Sequence, residues 1–164
     1  MQFDPTLDRN LPFEANAITS MCRGDYSGKE SIRLAILFNV GTRIISYLNK
    51  SEILQIWSYW ESLGAKKNLM PEEFVCFSLF KAISVQNGSE MRLHATSLLK
   101  KENLPASVTD YLAASAITGA VLTNDALWAD KFWIAYKRER PSNAPLPLYL
   151  LVLEAHIENS IQNL

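Results

Sequence analysis

Two histidines and a scatter of carboxylates are the residues of this 164-residue chain best suited to chemistry. Glu90 and His94 stand four apart, a spacing that places both on one face of a helix. A carboxylate beside an imidazole can orient it as a general base or help it to hold a metal. A zinc site needs at least three protein ligands, and no further ligand stands nearby in sequence. Glu154, His156 and Glu158 are spaced by two, which scatters them around a helix instead of converging them. Glu72 and Glu73 fall at an expected helix start, where the helix dipole accounts for acids. Asp125 and Asp130 are five apart and diverge. No glycine-rich phosphate loop, HExxH, GxSxG or calcium-loop pattern occurs. The sequence therefore assigns no catalytic residue, no metal and no cofactor. An enzyme would have to assemble its site from distant helices, with Glu90, His94 and His156 as its nominees.

Binding chemistry is better represented. Three basic doublets, Lys66-Lys67, Lys100-Lys101 and Lys137-Arg138, close expected helices. Cations favour helix C-termini, and the same doublets would form a basic ridge if the helices stacked in register. The aromatic residues cluster as Trp57, Tyr59 and Trp60, then Trp128, Phe132, Trp133 and Tyr136. At ~100° per residue the second group covers an arc of about 140°. One helix buries so wide an arc only with neighbours on both sides; otherwise part of it is free to anchor a partner. The candidate partner-binding set is Trp57, Trp60, Trp128, Phe132, Trp133 and Tyr136, rimmed by Lys100, Lys101, Lys137 and Arg138.

The elements that must position these residues are helices. Apolar side chains recur at three- and four-residue steps over 31–48, 52–63, 71–86, 89–101, 107–122, 124–139 and 148–163. No stretch alternates apolar and polar residues with β-branched enrichment, so no strands are expected. Ser51, Ser89 and Ser107 suit the N-cap position, Pro71 a first helical position, and Gly64 a C-terminal stop. The helix over 71–86 is apolar all round, which predicts a central, buried element. The helix over 107–122 has a face of small residues, Ala113, Ala116, Gly119 and Ala120, that admits a close neighbour. In the last helix Leu148, Leu151, Val152 and Ala155 are expected to face inward. Residues 1–28 form an irregular N-terminal segment, in which Phe13, Ala17 and Met21 are spaced for a short helix. Residues 29–164 are expected to form a single all-helical domain.

The totals narrow the classes. With 48% hydrophobic and 20% charged residues, the chain lies far from the composition of disorder. A formal net charge of -1 gives no global attraction to nucleic acid or anionic membrane. Met1–Asp8 lacks a basic stretch followed by an apolar run, so no secretory leader is expected. No apolar run approaches the ~20 residues that span a bilayer, and no membrane insertion is expected. Cys22 and Cys76 form no CxxC pair and read as reduced, buried thiols in a cytoplasmic protein.

The doublets recur at steps of 34 and 37 residues, the range of helical-hairpin repeats. Trp60-Glu-Ser-Leu63-Gly64 resembles the W-x2-L-G opening of the tetratricopeptide family. Ala129-x2-Phe132 and Pro141 resemble the second half of such a unit, although Lys67 stands where the family carries Tyr. The similarity spans roughly residues 52–141. It implies a right-handed helical-hairpin (αα) superhelix of about seven helices, and a compact orthogonal helical bundle is the alternative. The functional expectation is a non-enzymatic interaction module, an adaptor, chaperone-like holder or assembly factor. It would bind another protein or peptide through an aromatic groove. An immunity or antitoxin protein and a small all-α enzyme are the alternatives.

Overall fold

The computed structural model describes residues 11–141 and 143–164. Nine helices and no strands occur among these residues. They are α1 (Ala15–Arg23), α2 (Glu30–Tyr47), α3 (Lys50–Ser62), α4 (Ala65–Asn68), α5 (Pro71–Ser84), α6 (Gly88–Leu99), α7 (Ala106–Leu122), α8 (Ala126–Glu139) and α9 (Leu148–Gln162). The seven long helices fall where the periodicity places them. The short α1 replaces part of the irregular segment expected over 1–28, of which residues 1–10 lie outside the described residues. The single turn α4 follows Gly64, whose φ of 105° turns the chain after α3.

Contacts divide the chain into two compact units, Met1–Val85 and Gln86–Leu164, where one body over 29–164 is expected. In the first unit α5 packs on both α2 and α3. Its buried residues Cys76, Phe77, Leu79, Phe80 and Ala82 match the all-round apolar pattern. Trp57 and Trp60 of α3 are fully enclosed, and the Trp57 ring meets Phe77 edge-on at 4.8 Å. Each indole also has a partner for its N–H: Trp57 donates to Ser84 Oγ and Trp60 to Thr19 Oγ1, both at 3.1 Å. A buried indole nitrogen needs such an acceptor, and Trp60 ties α3 to α1 by this bond. Glu73, in the first turn of α5, lies 1% exposed and receives the Arg33 guanidinium in two bonds of 2.8 and 2.9 Å.

In the second unit α7 is the central helix, with α6, α8 and α9 all packed on it. Its small residues do what their size suggests. Gly119 and Gly88 meet where α6 crosses α7, and a methyl added at Gly88 would stand 2.7 Å from the Gly119 carbonyl oxygen. In this unit consecutive helices pack on one another, α6 on α7, α7 on α8 and α8 on α9. In the first unit α2 packs instead on α5, and α5 and α6 fall in different units.

The caps differ from the expected serines. Asn49 caps α3 in a reciprocal box with Glu52, and Asn87 caps α6 through the Glu90 amide. α7 begins after Pro105 with no side-chain cap. Asp110, three residues after Ser107, is buried in the unit.

Candidate functional site

The aromatic candidates separate into two kinds. Trp57, Trp60 and Trp133 are 2%, 1% and 3% exposed, so none can anchor a partner on a folded surface. This corrects the expectation for all three: each is a core residue whose ring fills the interior. Trp133 completes the cluster of Ile117, Ala120, Ala129, Leu150 and Ile157 between α7, α8 and α9.

Trp128, Phe132 and Tyr136 are half-buried along one edge of α8 and stack in a ladder. Trp128 and Phe132 lie 5.0 Å apart with planes 14° from parallel, and Phe132 and Tyr136 lie 6.2 Å apart at 10°. Both ends of the ladder are engaged internally. The Arg92 guanidinium lies 4.9 Å over the Trp128 ring and also binds Asp125, the N-cap of α8, at 2.8 Å. The Tyr136 hydroxyl donates to Asp110 Oδ1 on α7.

Asp110 is the polar centre of this unit. Arg140 meets it in two parallel bonds of 2.9 Å and also donates to the backbone carbonyls of Ala144 and Pro145. Burial opposes the charge on Asp110. The hydrogen bonds from Arg140 and Tyr136 outweigh it and hold the carboxyl below its ordinary range. Burial, and then the bond to Asp110, push the Tyr136 hydroxyl up to about 12.

The same cluster sets the direction of α9. Arg140, just past the end of α8, binds the Pro145 carbonyl, and Trp133, two turns back, donates to Glu154. As α8 runs backward α9 runs forward, so the two helices are antiparallel. Lys137 adds a 2.7 Å bridge to Glu154 along their seam. Lys137 and Trp133 hold the Glu154 carboxyl below its usual range.

The inward face of α9 carries Leu150 and Ile157, with Leu153 and Ile161 packed against the cluster. The residues expected inward, Leu148, Leu151, Val152 and Ala155, lie on the opposite side. Leu148 is 76%, Leu151 44% and Val152 48% exposed. This is a reversal of the expected orientation, and it leaves α9 apolar on two faces. Leu127 and Ile134 on α8 are exposed as well, at 59% and 53%. At ~100° per residue both lie on the side of α8 away from the aromatic arc.

Among the basic candidates, Lys100 and Lys101 follow α6, and Lys137 and Arg138 end α8; all four are exposed. Of the residues nominated for catalysis, Glu90 and His156 are exposed and His94 is half-buried. Among the described residues no three histidine, cysteine or acidic side chains converge to hold a metal. No helix among them is long and apolar enough to cross a membrane.

No family model, no curated protein and no solved structure matches this chain.

Proposed function

We propose that this chain is a non-enzymatic interaction module that binds another protein through the outward apolar surface of its second unit. The observation that carries the reading is the second apolar face of α9, formed by Leu148, Leu151 and Val152. A core helix needs one apolar stripe, and Leu150, Leu153, Ile157 and Ile161 already supply it. A second stripe left in water gains nothing for the isolated fold. Exposed apolar patches of this kind mark interaction surfaces.

The aromatic ladder is also partly accessible, but its polar edges are spent on Arg92 and Asp110. The ladder therefore serves as a brace for α8, and the outer faces of α8 and α9 serve as the docking surface. The reading keeps the likeness to helical-hairpin repeats, whose stacked units bind partners over an extended surface.

Site-specific cross-linking tests it. A photoreactive phenylalanine analogue at Val152, expressed in the native host, is expected to form adducts with a discrete protein. The same analogue at Lys66, on the first unit, is the control and is expected to form none of them. The absence of any adduct from Val152, or the same adducts from both positions, overturns the reading.

A further inference from the structure

The docking surface on α8 and α9 has a charge pattern, and that pattern names an occupant. On α8 the outward stripe runs Leu127, Lys131, Ile134, Arg138, with both cations exposed between the two exposed apolar side chains. On α9 the charged residues are Glu154, Glu158 and the titratable His156; it carries neither Lys nor Arg. Glu154 is committed to Lys137 and Trp133. Glu158 is exposed, and no ion pair joins Lys131, Arg138 or Glu158 to another described residue.

The two stripes are neighbours. Taking Lys137 and Glu154 as the seam, Ile134 is turned about 60° outward on α8, and Leu151 about 60° outward on α9, at ~100° per residue. Glu158 is turned about 40° the same way. The outer surface is thus one sheet of side chains, cationic and apolar along α8, anionic and apolar along α9.

We propose that this surface pairs with the same surface of a second copy of the chain, about a two-fold axis running along the α8–α9 seam. The inference rests on the interaction reading above and specifies its partner. That axis lays α8 of one copy over α9 of the other. The antiparallel register, in which Trp133 stands level with Glu154, then sets Lys131 level with position 156 of the second copy, about 3 Å along the helix from Glu158. It sets Ile134 midway between Leu151 and Ala155, about 3 Å along the helix from each. Like charges do not meet, and a two-fold interface repeats each favourable pair twice. A chain with a formal net charge of -1 also brings little overall repulsion to self-association. Stable interfaces take ~800 Å² per partner around an apolar centre with a charged rim. Here Ile134 and Leu151 form that centre, and Lys131, Arg138 and Glu158 the rim.

Sedimentation velocity of the full chain from 1 to 100 μM (roughly the affinity range of modest interfaces) decides it. A concentration-dependent dimer is expected. Ile134→Glu is expected to leave only monomer, with helical circular dichroism unchanged because the side chain is already in water. Lys131→Glu should weaken the dimer by about tenfold or more, since it places like charges opposite each other twice. The double variant Lys131→Glu with Glu158→Lys should recover most of that loss. A monomer at every concentration overturns the proposal. So does a dimer indifferent to these changes, or a double variant as weak as the single one. A monomer that nevertheless cross-links a different protein from Val152 overturns the pairing and leaves the interaction reading standing.

Discussion

Arg140 and Asp110 lie fork to fork, joined by two bonds of 2.9 Å, with side chains 7% and 4% exposed. Thirty positions separate them in sequence. The pair fixes the end of α8 to α7, and its remaining donors hold the 144–145 backbone that leads into α9. One guanidinium therefore ties α7, the end of α8 and the segment before α9 together.

Removing that guanidinium strands a buried carboxylate. Arg140→Met is expected to cost about 3–5 kcal/mol, the usual penalty for breaking a buried pair from one side. Urea unfolding of the full chain, followed by circular dichroism, measures it. A loss below about 1 kcal/mol would show that Asp110 finds another partner or water.

Acid should act through the other member. The folded carboxyl of Asp110 titrates below its ordinary range because Arg140 and Tyr136 bind the charged form against the cost of burial. A depressed folded value means that the stability it contributes is complete above the unfolded value of ~3.9 and is lost as pH falls through the folded value. Melting temperature is therefore expected to drop steeply below pH ~4 in the native chain. Asp110→Asn should start lower and show a shallower drop over the same window.

Alkali reads the same cluster through Tyr136, whose hydroxyl is pushed up to about 12 by burial and by the bond to Asp110. The chain has six tyrosines, and ordinary ones ionise near 10. Absorbance at 295 nm is expected to show a late titrating step that Tyr136→Phe removes. Tyr149, also raised by burial, should remain in that variant as a smaller displacement from the main step.

Gly119→Ala tests the α6–α7 crossing. In an exposed helix the change would stabilise by about 1 kcal/mol. Here the new methyl would collide with the Gly88 carbonyl oxygen, which is backbone and cannot turn aside. A destabilisation of about 1–3 kcal/mol is expected, as for other overpacked sites. A stabilised variant would mean that the two helices part easily.

Trp60→Ala separates core from surface. The ring is 1% exposed and its N–H binds Thr19, so truncation should cost about 3–5 kcal/mol of stability. Thermal melting is the measurement. Val152→Glu, at a 48% exposed position, should leave the melt within about 0.5 kcal/mol.

The helices were legible because their apolar spacing is local. The fate of each helix face was legible only where one face was apolar. In α3 the stripe of Ile53, Ile56, Trp57 and Trp60 has no rival, and it goes inside, which is why the partner-binding role expected of Trp57 and Trp60 fails. In α9 two apolar stripes stand on opposite sides, and local spacing cannot choose between them. The choice is made by Glu154, which sits beside the inward stripe and reads as a polar marker of the outside until Trp133 and Lys137 are seen to bind it. Caps failed for a similar reason. Asn49 and Ser51 are both good candidates, and the tie is broken by Glu52, which sits three residues after Asn49. The Asp110–Arg140 pair gave no local signal at all, because its two members lie on different helices and neither has a distinctive neighbour.

Cys22 and Cys76 are both sealed inside the first unit, and burial pushes the Cys22 thiol up to about 12 and Cys76 upward as well. The second unit has none. An alkylating reagent at neutral pH would thus find no thiolate on the native molecule, and adduct mass would accumulate only as that half opens. The chain carries its own clock for the breathing of one half, with the other half silent.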